Sequence, residues 1–160
     1  MDRPLLIIWH SRTGASEAMG RAAFDGAGDN ARLLPAESVE PSDIIDARGY
    51  IFACPENLAT MSGLMKEMFD RCYYPVLGKI EGRAYATLIA AGSDGEGALR
   101  QIDRIATGWR LRRVAEPVIV NLAAQTPEVI LAPKDVPAAD LETCRLLGAA
   151  LAEGLASGIF

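Results

Sequence analysis

The chain is poor in the residues that metal and disulfide chemistry require. Its 160 residues include one histidine, His10, and three cysteines, Cys54, Cys72 and Cys144, with no Cys-x-x-Cys pair. One imidazole and scattered thiols make no credible metal ligand set. An odd number of widely separated cysteines in apolar surroundings predicts reduced thiols. No apolar run approaches the length of a membrane span, and the opening Met1-Asp2-Arg3-Pro4 does not read as a signal peptide. The expected location is therefore cytoplasmic. Basic charge is not in excess either: the net charge is −5, with Arg and Lys spread along the chain. A nucleic-acid surface would need a basic cluster, so that class of partner is excluded.

What remains is globular in composition. Half of the residues are hydrophobic and 23% are charged, in a chain long enough for one domain, residues 1–160, with a full core. Strand and helix signals alternate from end to end, without repeats or linkers. Strands are predicted at Leu5–Trp9, Arg32–Leu34, Tyr50–Cys54, Ala84–Ala91 and Val114–Val120. Most are continuous apolar runs, as parallel strands covered on both faces require. Helices are predicted from Gly14 to Gly26, Ser62 to Tyr73, Glu96 to Gly108 and Ala138 to Leu155, with a short turn at Ser42–Ala47. The first would bury Ala15, Ala18, Met19, Ala22 and Phe24. The second carries a stripe of Met61, Leu64, Met65, Met68, Phe69 and Cys72, with Pro75 beyond its end. The third would bury Leu99, Ile102, Ile105 and Ala106. Trp109 closes it and is a candidate for a subunit interface. Five strands with intervening helices indicate an open, doubly wound α/β sheet.

The junction after the first strand carries the most chemical information. Ser11-Arg12-Thr13-Gly14-Ala15-Ser16 places hydroxyls and a glycine where a helix begins. The free N–H groups and positive dipole end of such a helix suit an anion, a phosphate above all. Helix capping alone would account for the same residues. No lysine stands where a nucleotide-triphosphate loop needs one, and only Gly14 is present of a Gly-x-Gly-x-x-Gly turn. Gly95-Glu96-Gly97 imitates that turn, but Arg100 replaces its third glycine. Neither Cys-x5-Arg nor a Gly-x-Ser-x-Gly elbow occurs.

Two further loops would share the edge of the sheet with this one. They are Pro55-Glu56-Asn57-Leu58-Ala59-Thr60 and Gly92-Ser93-Asp94-Gly95-Glu96-Gly97. The hydroxyl-rich first loop resembles the phosphate loop of flavodoxin-like proteins. The segment from Ala53-Cys54-Pro55 through Met61-Ser62-Gly63-Leu64-Met65-Lys66 to Asp70-Arg71 resembles the second loop and helix of NAD(P)H-dependent FMN reductases and flavodoxin-like quinone reductases. Leu77-Gly78-Lys79, Gly82-Arg83-Ala84 and the glycine-rich third loop come after it in matching order, so the resemblance runs from Pro4 to Val120.

That resemblance implies a flavodoxin-like five-stranded parallel sheet of order 2-1-3-4-5, with the ligand where strands one and three part. It implies FMN as cofactor, NADH or NADPH as co-substrate, and a quinone or similar small-molecule electron acceptor. Ser11, Arg12, Thr13, Gly14, Ala15 and Ser16 would hold the phosphate. Pro55, Glu56, Asn57, Leu58, Ala59 and Thr60 would run along the isoalloxazine ring, with Gly92, Ser93, Asp94, Gly95 and Gly97 closing the opposite side. No catalytic side chain is expected, and related reductases are commonly homodimers or homotetramers. Asn57-Leu58-Ala59 departs from relatives that carry an aromatic residue and a glycine there. His10 stands where many relatives have an aromatic residue, and there it either approaches the phosphate or fills space. Glu56 and Asp94 could orient a flavin edge or cap a helix. A one-electron carrier, or a domain that has lost flavin, are the alternatives.

Overall fold

A computed structural model describes residues 5–160; Met1–Pro4, and with them the first residue of the resemblance, lie outside the described residues. In chain order the elements are β1 (Leu5–Trp9), α1 (Ala15–Ala27), β2 (Ala31–Pro35), α2 (Pro41–Asp46), β3 (Gly49–Asn57), β4 (Thr60–Met61), α3 (Gly63–Val76) and β5 (Ala84–Ala91). They continue with α4 (Glu96–Gly108), β6 (Arg112–Arg113), β7 (Val118–Asn121), α5 (Pro127–Leu131) and α6 (Ala138–Ala156).

The strands β2-β1-β3-β5 pair in parallel in that order. The fifth place is shared: β6 pairs with Ala84 and Tyr85 at the start of β5, and β7 with Leu88–Ala91 at its end. The sheet thus has the flavodoxin-like order 2-1-3-4-5. The last strand is broken where continuity was expected, because Glu116-Pro117 interrupts Val114–Val120 and Pro117 has no N–H for the ladder. β3 runs three residues beyond the predicted Cys54. The helix predicted to end at Tyr73, α3, runs through Pro75 to Val76, since a proline this near the end costs only the one bond that its missing N–H would have made a turn earlier.

Alternate residues of each strand enter separate cores. On one face Leu6, Ile8, Tyr50, Phe52 and Ile89 pack under α3 and α4 with Met65, Met68, Phe69 and Ile102. Trp109 belongs to this core: it is 4% exposed and meets Phe69 edge-on at 5.2 Å. It therefore offers no surface for a second subunit. Leu64, predicted within the buried stripe, is 43% exposed, and Ile105 is only half-buried. Arg71 bonds the carbonyls of Ala36 (3.1 Å) and Val39, while Asp70 pairs with Lys66.

On the other face Leu5, Ile7, Ile51, Ala86 and Leu88 lie under α1 and α6. The buried face of α1 is Ala15, Ser16, Met19, Gly20, Ala23 and Ala27; the predicted Ala18, Ala22 and Phe24 are half-buried. Contact with α6 sets this rotation. A Cβ on Gly148 would stand 1.9 Å from the Ala23 carbonyl oxygen, and one on Gly26 would stand 1.9 Å from that of Arg145. Gly26 is thus a crossing point within α1 rather than its end. Cys54, Cys72 and Cys144 are buried free thiols.

Candidate functional site at the switch point of the sheet

β1 and β3 are neighbours, yet the chain leaves β1 for α1 on one face and β3 for α3 on the other. Such a divergence opens a crevice at the carboxyl edge of a parallel sheet. The structure brings the three predicted loops to this edge.

The first loop begins at His10, whose N–H donates to the Ala53 carbonyl (2.9 Å). The Gly14 N–H donates to Ser11 Oγ (3.0 Å), and Gly14 adopts φ 101°, a conformation that favours glycine. Gly14 is also the residue that precedes α1, and among the described residues no side-chain oxygen caps that helix. The hydroxyls are therefore not spent on the first-turn N–H groups of α1, which have no partner within the helix. Ser16 differs from its neighbours: it is 1% exposed and its hydroxyl donates to the His10 carbonyl (2.7 Å). Only its N–H remains for a ligand. Arg12 is exposed, and Thr13 is half-buried.

His10 fills space and also ties two loops together. Its Nδ1 lies 2.8 Å from Ser62 Oγ, at the start of α3. Burial lowers its pKa, opposed by Glu37 and reinforced by Arg12. Behind it the Cys54 thiol is pushed up to about 12 by burial, against the pull of the Ser62 N–H and hydroxyl.

The second loop is a hairpin. Glu56 pairs with Met61 and Asn57 with Thr60, leaving Leu58 and Ala59 as the two-residue turn. Both have positive φ, 53° and 66°, as a tight antiparallel connection requires. Leu58 is 98% exposed. Thr60 returns its hydroxyl to the Asn57 carbonyl (3.1 Å), and Pro55 sits beside Ala90 in the sheet.

The second and third loops are locked to each other. Of the two roles open to Glu56, the structure shows capping: its carboxylate accepts from Gly95 N–H (2.8 Å) and Ala98 N–H (3.0 Å) at the start of α4. Asp94 is exposed, and its Oδ1 accepts weakly from Glu96 N–H (3.4 Å) at the start of α4. Gly97 passes so near the hairpin that a Cβ there would lie 2.1 Å from the Ala59 carbonyl oxygen. Gln101 Oε1 accepts from Met61 N–H (2.8 Å). Ser93 is exposed, with its carbonyl held by Asn121 Nδ2 (2.8 Å).

A fourth segment, residues 122–137, completes the edge and was not anticipated from sequence. It starts at the third loop, where the Gly92 carbonyl accepts from Ala124 N–H (2.9 Å) and Gln125 Nε2 (2.8 Å). It ends on the first loop, where Lys134 N–H donates to the Thr13 carbonyl (2.8 Å). Between them α5 is capped by Thr126 Oγ1, which accepts from Val129 N–H (3.4 Å). The Thr126-Pro127-Glu128 sequence is the signal that could have revealed this helix start. Among the described residues no cluster of His, Cys, Asp or Glu could hold a metal, and no helix is long and apolar enough to cross a membrane.

Comparison with known proteins agrees with this geometry. A flavodoxin from the domain Archaea superimposes with a TM-score of 0.76 at 16% identity, covering 94% of this chain and 97% of its own. The flavodoxin, WrbA-like protein from Agrobacterium tumefaciens also gives 0.76, at 20% identity, over 93% of this chain and 94% of its own. Rubredoxin oxygen:oxidoreductase from Desulfovibrio gigas gives 0.74 at 17% identity, covering 97% of this chain but 36% of its own. At these identities the likeness is one of fold. No curated protein sequence matches the chain. The family model described as NADPH-dependent FMN reductase, however, matches residues 41–125, which include the second and third loops and the helices after them. Since that match takes in just over half of the chain, the protein belongs to the NADPH-dependent FMN reductase family.

Proposed function

We propose that this protein binds FMN at the switch point and passes hydride from NADH or NADPH through it to a quinone or similar small acceptor. One observation carries the cofactor assignment. Among the described residues no side chain caps the N-terminus of α1, so its N–H groups are available, and Ser11 and Thr13 stand beside them. That donor set fits a phosphate monoester, which a helix N-terminus stabilises through its N–H groups and dipole. Residues Ser11 to Ser16 hold the phosphate in this reading. The backbone of Pro55 to Thr60 and that of Gly92 to Gly97 border the ring. Their mutual hydrogen bonds keep both loops in place before any ligand arrives.

Bound FMN supplies the hydride chemistry, and the protein supplies position and electrostatics. The exposed hairpin tip at Leu58 and Ala59 puts no aromatic lid over the site, which suits a second substrate entering from that side. Backbone N–H groups along the ring's polar edge stabilise negative charge that develops there. No side chain is assigned to proton transfer.

The test is equilibrium dialysis of the pure protein against FMN, with riboflavin as the control lacking phosphate. Tight FMN binding with weak riboflavin binding supports the first-loop assignment. Steady oxidation of NADH or NADPH by the FMN-loaded protein, with a quinone as acceptor, supports the reductase. Absence of FMN binding overturns both assignments. FMN binding without NAD(P)H oxidation would instead leave a one-electron carrier.

A further inference from the structure

We infer that Lys134, carried on the 122–137 segment, is the positive charge of the phosphate subsite and acts through the Thr13 hydroxyl. This rests on the FMN reading. The first loop is otherwise a set of neutral donors with one exposed arginine, Arg12. An FMN phosphate carries a charge of about −1.5 to −2 near neutral pH, as a phosphomonoester does. The end of α1 offers only about half a positive charge against it.

Lys134 reaches this loop from 121 positions away in sequence, and it does so twice. Its N–H donates to the Thr13 carbonyl (2.8 Å), and its Nζ lies 3.4 Å from Thr13 Oγ1. The ammonium is also held by the carbonyls of Ile130 (2.8 Å) and Ala132 (2.6 Å), at the end of α5. An ammonium has three N–H donors and no acceptor. Two of the three are thus taken by the last turn of α5 and the residue that follows it, and the third is directed at Thr13. The side chain is half-buried and already immobilised, so little freedom remains to be lost when a ligand binds.

Thr13 is changed by this contact. A hydroxyl that accepts from a cation has its own proton free for another acceptor and becomes a stronger donor. The phosphate therefore meets a polarised hydroxyl backed by a fixed charge, without any lysine in the loop sequence itself. Lys134 is a positioning and polarising residue, and its contribution is confined to ligands that carry the phosphate.

The experiment compares FMN and riboflavin affinities for the whole protein and its Lys134→Met and Lys134→Arg variants, across a range of salt concentrations. A hydrogen bond to a charged group corresponds to roughly ten- to a hundredfold in affinity. Lys134→Met should weaken FMN by about that factor, leave riboflavin unchanged and flatten the salt dependence of FMN binding. Lys134→Arg, which keeps the charge, should recover most of the loss. Equal weakening of FMN and riboflavin in Lys134→Met would show a purely structural tie and overturn the inference. So would an unchanged FMN affinity. If the unaltered protein binds no FMN, the functional reading fails and the inference fails with it. A ratio of FMN to riboflavin affinity in Lys134→Met equal to that of the unaltered protein removes the inference alone.

Discussion

Removing the Glu56 carboxylate should loosen the candidate site from within the protein rather than from its surface. Glu56→Ala deletes two hydrogen bonds, to Gly95 N–H at 2.8 Å and Ala98 N–H at 3.0 Å, and a negative charge at the start of α4. Among the described residues the one other side chain on that helix start is Asp94, whose contact with Glu96 N–H is long at 3.4 Å; Gly95, which precedes α4 with φ 100°, can cap nothing itself. Loss of a helix cap costs about 1 kcal/mol and up to about 2, and hydrogen bonds to a charged group lie at the upper end. The total for this half-buried carboxylate is about 2 kcal/mol. For a chain of 160 residues that lowers the melting temperature by about 4 to 8 °C. Glu56→Gln keeps an acceptor and should lose roughly half as much. Thermal unfolding by circular dichroism reads the global effect. Amide hydrogen exchange at Gly95 and Ala98 reads the local one, and both amides should exchange faster. A melting shift below about 1 °C in Glu56→Ala, with exchange unaltered at both amides, would refute the reasoning.

Two other expectations are independent of that one. Ala59→Gly should stabilise the protein by about 0.5 to 1 kcal/mol, because the residue already occupies φ 66°, where a Cβ is strained. A urea midpoint lowered by this change would contradict the assignment of strain to the hairpin. Stability should also fall as pH drops below the ordinary histidine value of 6.5, because burial lowers the native pKa of His10 and the unfolded chain takes up the proton first. His10→Asn should flatten that part of the curve between about pH 7 and 5.5 in urea titrations, and parallel curves would reject the linkage.

The parts of the fold that were legible in sequence are those with long periodic patterns. Leu5–Trp9, Ala84–Ala91 and Glu96–Gly108 fall where the apolar runs and helical spacing put them. What escaped was short or set by distant contacts. β4 has two residues and α5 five, fewer than any period needs to declare itself. The rotation of α1 depends on Gly148 of α6, so its own sequence could favour Phe24 over Gly20 and Ala23 as the buried face. Trp109 looked like a surface aromatic because it ends a helix, yet Phe69 from α3 receives it. The loops of the candidate site were visible as departures from helix and strand pattern. Their coupling was not, since Glu56 could have capped its own helix as easily as α4. Lys134 carried no local signal at all, because its partner Thr13 lies at the other end of the chain.

The crossing of α1 and α6 bears on when the site can exist during synthesis. α6 closes one face of the sheet, and its Gly148 seats directly on the backbone of α1, the helix that begins at the first loop. The 122–137 segment, which reaches that same loop, precedes α6 in the chain. A nascent polypeptide therefore has all the described strands before the first loop has these contacts. The first loop thus gains its partners from the 122–137 segment and from α6 only as the last quarter of the chain is made.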